Sequence, residues 1–557
     1  MTRVHGAEAE AALNAGAESL FRRRRPDGGV HFTSSDSATL ATAGAAVALH
    51  LHSPTPSREH TDLARKWLLR TQNPDGGWGA VPGQPTEAVP TAIAAAALSL
   101  LGGKREEPAI ARGRLALFER GGLESIADPA VGALCRRFHV MAGWVPADSA
   151  VRLPLWIVLL PSLRRKRISF RTAPFIGLAL AQAHRDRGGP LRRLVTAIST
   201  PVAIGLLRDI HRHEGGTGEF AADPWAAGLL CIGLTQARVA PDLSRGIADY
   251  LRSTMNPDGS WPAVHIGLTY AAFAMTGLTD AGFAEDERVG PTAELLRRAR
   301  QPEPFTAFAC PAGGWSYSGP RGWPVTLESA EILSALGALP GADRDEHVTG
   351  GSAWLSARQD TRGSWSLWVR DTKLANDGPC PYITAQAIDA LRETGAPGAE
   401  ARIDRALRWL STQQRPNGSF DALWYRGDTP GTSVVLGAFA RAGRAEHPVA
   451  SRARDWLLRT QLADGAWSTG HGDDGTVEET AWALRALLDA GVSPNEPAVQ
   501  SAVGWLLAAQ DPAGDWPEAP VSAYVRHCVH YPNGAITMGL ALRALAAYNR
   551  ASTAVAS

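Results

Sequence analysis

An all-α fold made of repeated helical hairpins follows from three features of the sequence. The first is the recurrence of Gln-x-x-x-Gly-x-Trp, starting at Gln72, Gln359, Gln461 and Gln510, with Phe420 replacing the tryptophan after Gln414. The second is its period. Weaker copies close at Val30, Phe220, Trp261 and Trp315, and from Trp315 onward the closing positions recur roughly every fifty residues, the spacing of a repeated supersecondary unit. The third is what flanks each copy: "ASRARDWLLRTQ" has helical apolar spacing, "LADGAW" is a turn and "TVEETAWALRALLDAG" is a second helix.

The elements follow in order. The first thirty residues hold no apolar signal core, and "FRRRRPDGG" is not followed by one, so export is not expected. "ARKWLLRTQNPDGGW" and "TAIAAAALSLLGG" form the first full unit, whose Ala-rich inner helix lets neighbouring pairs pack closely. No copy falls between Trp78 and Phe220. That gap holds "LPLWIVLLP" (Leu153 to Pro161), too short for the roughly 20 residues that span a bilayer. Arg164, Arg165, Lys166 and Arg167 follow it, so residues 153–167 read either as a peripheral membrane contact beside anionic head groups or as a buried helix with a solvated basic turn. In the last units, Thr476 and Glu479 form a capping box and Gly491 a stop. Strands are predicted to be scarce.

Composition narrows the function classes. A length of 557 residues implies more than one core. A net charge of +1, with no basic stripe among aromatics, argues against nucleic acid as a partner. The five cysteines (Cys135, Cys231, Cys310, Cys380, Cys528) are odd in number and far apart, which suits a reducing cytoplasm better than a disulfide framework. No Gly-x-Ser-x-Gly elbow, P-loop or Cys-x-x-Cys pair is present.

The repeats, together with "LFERGGLESIADPAVGALCRRFHVMAGW", "LPLWIVLLPSL", "EETAWAL" and the "HYPNG" ending, resemble the squalene-hopene cyclases and their class II terpene cyclase relatives over essentially the whole chain. The resemblance implies two α/α barrels of helical-hairpin repeats, one inserted into the other. Residues 1–36 and 262–557 would form the first barrel, and 37–261 the inserted one. It also implies a large apolar cavity in which an acid protonates a polyprenyl chain and rings close through carbocations. Aromatic faces would steady those cations by about 0.5–2 kcal/mol each, with water kept out. The family's lining aromatics fall on Trp144, Tyr317, Trp368, Trp482 and Tyr524.

The acid machinery departs from the family. The Asp-x-Asp-Asp-Thr-Ala stretch aligns with Val325 to Ala330, so the usual donor falls on Leu327; the histidine that supports it falls on Gln386. Glu328, one position on, is the candidate acid. Its other reading is a first-turn glutamate, after an N-cap Thr326, that complements the helix dipole. Asp371 and Asp377 are secondary candidates whose alternative is a polar loop, and Asp473 and Asp474 read as a solvated turn whose alternative is a diphosphate or metal contact. A zinc site of the prenyltransferase type, from Asp377, Cys380, His527 and His530, is disfavoured by spacing. No metal or cofactor is expected. The sequence thus predicts a non-standard terpene cyclase for a polyprenyl or meroterpenoid substrate. The alternatives are a non-catalytic prenyl or polycyclic ligand binder and a cyclase fold recruited to another cyclisation. A homodimer is one assembly it allows.

Overall fold

Each Gln-x-x-x-Gly-x-Trp copy folds into the same hydrogen-bonded turn. The computed structural model describes residues 5–102, 106–160, 172–185, 188–372, 374, 377–470, 473–525 and 527–556. Gln461 shows the pattern: its side-chain amide donates to the Gly465 carbonyl (2.9 Å) and to the Ala498 carbonyl (2.8 Å), where the next outer helix begins. Gln72, Gln359, Gln414 and Gln510 make the same pair of bonds. The tryptophan indole N–H donates to a leucine carbonyl ten residues earlier, as from Trp467 to Leu457 at 2.8 Å. Glycine is required between them. Gly465 has φ +95°, and a Cβ there would stand 2.7 Å from the Ser501 carbonyl oxygen.

These turns arrange the helices as inner and outer layers. Inner helices Gly267–Leu278, Thr326–Gly337, Pro381–Glu393, Thr429–Arg441, Val477–Asp489 and Gly534–Ala556 each pack on the next, and the last packs on the first, closing a ring. Outer helices Gly290–Arg298, Glu346–Ala357, Ala399–Ser411, Pro448–Thr460 and Pro497–Ala509 back the first five, while the N-terminal helix Gly6–Arg23 backs 534–556. Between these lies a second group. Its inner helices Thr39–His52, Ala88–Leu101, Pro129–Met141, Thr172–Arg185 and Pro224–Ala237 are backed by Arg58–Arg70, Glu107–Glu119, Pro190–His213 and Pro241–Ser253. Here Gly228 meets Gly44, where a Cβ would come within 3.0 Å of the opposing backbone.

Local details refine the sequence reading. Thr476 caps 477–489, its hydroxyl accepting from the Glu479 N–H at 3.2 Å and donating to the Glu479 carboxylate at 2.9 Å. Thr326 is not an N-cap. Val325 occupies that position with no side-chain cap, and the Thr326 N–H donates to the Leu367 carbonyl at 2.9 Å. The strands among the described residues make one antiparallel hairpin, Ser522–Val525 with Val529–Tyr531. All five cysteines are buried, and none forms a disulfide among the described residues.

The apolar run of the inserted segment becomes a short 3₁₀ turn, Leu155–Leu159, with Leu155 and Val158 inward and Trp156 46% exposed. Helix 190–213 packs against it and carries exposed Leu191, Leu194 and Ile198. Residues 161–167, with the basic cluster, lie outside the described residues. No helix among those described is long and apolar enough to cross a membrane.

Gln510 ties the last outer turn to the N-terminal helix through the Ala12 carbonyl. Gln510→Ala is therefore expected to lower stability by about 1–3 kcal/mol, from lost and unsatisfied hydrogen bonds. The check is the urea midpoint, with amide exchange rising in 6–23 and unchanged in 39–52.

Candidate active site

A cavity of about 130 Å³ opens inside the closed ring. Three neighbouring inner helices supply Tyr270 and Phe273, then Leu327, Glu328 and Glu331, and finally Ile536. Post-repeat turns contribute Tyr317, Trp368, Trp424 and Tyr425, and the hairpin adds Tyr524 and Tyr531. The rings brace one another edge to face, with Tyr317 and Trp368 at 6.1 Å, Tyr425 and Trp482 at 4.8 Å, and Tyr524 and Tyr531 at 5.8 Å. Such a wall offers π-electron faces and little nucleophilic surface.

Two carboxyls border this wall. Glu328 is 8% exposed; its Oε1 accepts from the Thr269 hydroxyl at 3.3 Å, and its buried Oε2 has no hydrogen-bond partner among the described residues. Burial pushes its carboxyl up to about 7, against the pull of its own backbone N–H and the Thr269 hydroxyl. The helix N-terminus does not hold it as an ordinary anion, because desolvation exceeds that stabilisation. Glu331, which the sequence reading missed, follows one turn later. Burial likewise pushes it up to about 7; the nearby Arg543 guanidinium opposes the rise and the Glu328 carboxyl adds to it. The i, i+3 spacing of the two glutamates on a helix start is the signal that could have found it.

Gln386 does not line the cavity. Its amide N–H donates to Glu331 Oε1, and its Nε2 also lies 3.4 Å from the Tyr382 hydroxyl. Leu327, where the family carries its donor, presents an apolar side chain to the cavity. Tyr317 is fixed by a 2.7 Å hydrogen bond from its hydroxyl to the Ala221 carbonyl, and Tyr524 by one from its hydroxyl to Asp223. Lining residues Tyr270, Trp424 and Tyr425 sit in no motif of the sequence, and Tyr531 lies in the "HYPNG" ending, which points to the family and not to a lining role.

Several expected site residues lie elsewhere. Trp482 is not in the lining: it backs Tyr425 and stands 6.2 Å from Tyr382. Trp144 is half-buried outside the cavity, against His139 at 4.9 Å and under the Arg114 guanidinium at 4.9 Å. Asp371 lies in a left-handed turn and accepts from the Thr361 N–H and hydroxyl at 2.9 and 2.8 Å, away from the lining. Asp377 is buried behind the wall and accepts the Trp368 indole N–H at 3.1 Å, so it orients a lining ring. His530 pairs with Glu87 at 3.0 Å, and no group of three potential metal-binding side chains is found among the described residues. The four residues considered for zinc are not brought together.

A closed ring of helical hairpins around an aromatic cavity with buried acids defines a class II cyclase scaffold. Residues 13–169 match the squalene-hopene cyclase N-terminal domain and residues 366–531 the squalene-hopene cyclase C-terminal domain. The chain belongs to the squalene-hopene cyclase-like class II terpene cyclase family. The squalene-hopene cyclase of Bradyrhizobium diazoefficiens is 27% identical over 38% of this chain and 36% of its own length. That of Alicyclobacillus acidocaldarius is 23% identical over 83% and 85%. Against several curated relatives the match spans less than half of their length. In fold the chain is similar to ent-copalyl diphosphate synthase from Streptomyces platensis, with a TM-score of 0.56 and 20% identity over 98% of this chain and 100% of that one.

Both glutamates sit above the usual carboxylate range of 4.5, so the folded state holds protons that the unfolded chain releases between roughly pH 4.5 and 7. Stability should fall as pH rises through that window. Glu328→Gln, which removes one such group, is expected to exceed wild type by about 2 kcal/mol at pH 8 and to match it at pH 4, measured by urea titration.

Proposed function

We propose that this protein is a terpene cyclase that acts on an uncharged polyprenyl or meroterpenoid chain, with Glu328 as the proton donor. The observation that carries the reading is the unpartnered Glu328 Oε2 bordering an aromatic cavity. Glu331 supports it as the ionised member of the pair. The Gln386 N–H and the Arg543 field favour charge on Glu331, whereas Glu328 Oε2 has no donor, so the proton the two acids retain near neutral pH resides on Glu328. Gln386, at the position where the family carries its histidine, thus serves the pair through Glu331.

The lining also speaks to the substrate. It contains no Lys, Arg or His among the described residues, only carboxyls, hydroxyls, an amide and apolar groups. A diphosphate head would have no cation to meet there and two buried acids to oppose it. A carboxylic acid held near 7 is weak, and it suits an epoxide or other basic oxygen better than an unactivated alkene. In the proposed reaction Glu328 protonates that oxygen, the C–O bond opens, and successive alkenes attack the cation while Tyr317, Trp368 and Tyr425 face it.

Incubation with squalene, 2,3-oxidosqualene and linear prenyl diphosphates tests this. Cyclic product from the epoxide is expected first, with turnover falling as pH rises above 7 and lowered about 10²–10⁴-fold in Glu328→Gln. Tight retention of all three without product would instead identify a binder.

Peripheral membrane contact is part of the same proposal, since such substrates dissolve in lipid. It is supported by exposed Trp156, Leu191, Leu194 and Ile198 on two packed elements. Leu191→Ser/Leu194→Ser/Ile198→Ser is expected to reduce sedimentation with phosphatidylglycerol vesicles about tenfold or more, because each buried apolar side chain contributes on the order of 1–2 kcal/mol.

A further inference from the structure

The lining hydroxyls are not equivalent. Tyr270 is hydrogen-bonded to the Ser35 hydroxyl at 2.8 Å and Tyr317 donates to the Ala221 carbonyl. Neither partner can keep a proton at neutral pH. Tyr524 differs, because its hydroxyl donates to Asp223 Oδ2. Asp223 is 1% exposed, and its other oxygen accepts the Trp225 N–H at 2.9 Å at the start of helix 224–237. Tyr524 therefore joins the cavity to a buried carboxylate that belongs to the other helical group from the one carrying Glu328. Its ring also borders a second apolar hollow, lined by Leu40, Val131, Leu134 and Phe175 among others.

We infer that Tyr524 and Asp223 form the proton acceptor that ends the reaction, a reading that rests on the cyclase function proposed above. In this step a C–H bond beside the final carbocation breaks and its electron pair becomes the new C=C bond. The proton goes to the Tyr524 oxygen as the phenol proton passes to Asp223 Oδ2. Tyr524 ends neutral and Asp223 protonated; Asp223 releases its proton to solvent after the product leaves. The proton delivered by Glu328 is thus balanced by one removed at Tyr524, and the product is an isomer of the substrate. Tyr524 would be catalytic. Asp223 would act through it as a positioning and proton-holding residue. Burial pushes the Asp223 carboxyl up to about 6, against the Tyr524 hydrogen bond, which makes it a better proton acceptor than an exposed aspartate.

The test compares product composition from 2,3-oxidosqualene for wild type, Tyr524→Phe, Asp223→Asn and the double variant, each checked for folding by thermal melt. Tyr524→Phe keeps the ring and should still consume substrate. Its ratio of cyclic alkene to hydroxylated or prematurely ended products should fall roughly tenfold or more. Asp223→Asn, which retains an oxygen for the Trp225 N–H, should shift the ratio the same way, and the double variant no further than Tyr524→Phe. An unchanged ratio in Tyr524→Phe, additive shifts, or a wild-type product that is wholly hydroxylated would overturn the dyad alone. Absence of cyclic product from wild type would overturn the cyclase reading and this inference with it. If Asp223→Asn does not fold, the Tyr524→Phe ratio decides.

Discussion

The two hydrogen bonds of each repeat glutamine constrain everything else in the molecule. One closes the glycine turn and the other pins that turn to the next outer helix, so each hairpin is oriented by its neighbour. Because Gln510 applies the same geometry to the N-terminal helix, the chain's beginning and end meet in one ring. A closed ring has no exposed end to cap, unlike an open helical array. It also leaves an axial space that inner side chains do not fill on the side where Tyr270, Glu328 and Ile536 face one another.

That space sets the electrostatics. Carboxyls bordering it are buried, and that desolvation pushes both glutamates up to about 7, above the usual carboxylate range. The same desolvation that makes a proton available weakens its driving force toward a plain alkene, which couples donor strength to substrate type. Replacing an aspartate position with Leu327 fits this scheme. It removes one charge from a site already holding two carboxyls, where a third would raise the cost of ionisation further.

Much of the architecture could be read in the sequence, because periodicity and turn chemistry are local. Gln, Gly and Trp at fixed spacing have one shared geometry, and Thr476 and Glu479 cap as their spacing predicts. The site was legible only in part. Tyr317, Leu327, Glu328, Trp368 and Tyr524 do border the cavity, whereas Trp144 and Trp482 do not, since which side of a packed ring faces the void depends on tertiary placement. Glu331 escaped notice because a glutamate inside a helix ordinarily points to solvent; only ring closure turns that face inward. Thr326 was misassigned as a cap because the Leu367 carbonyl, distant from the helix start in sequence, satisfies its N–H instead.

Acid and aromatic wall share one ring, and Asp223, at the start of a helix of the other group, is joined to that wall through Tyr524. The 326–337 helix can position a donor but already spends its inward face on Leu327, Glu328 and Glu331. A proton acceptor on the same face would exchange protons with the donor pair and short-circuit the reaction. In the reaction proposed above, an acceptor at the start of helix 224–237, hydrogen-bonded to Tyr524, would keep the two ends of the proton's path on separate elements. The hairpin 522–531 links the two groups of helices, since it carries Tyr524, a ring that touches both hollows and the buried Asp223 carboxylate.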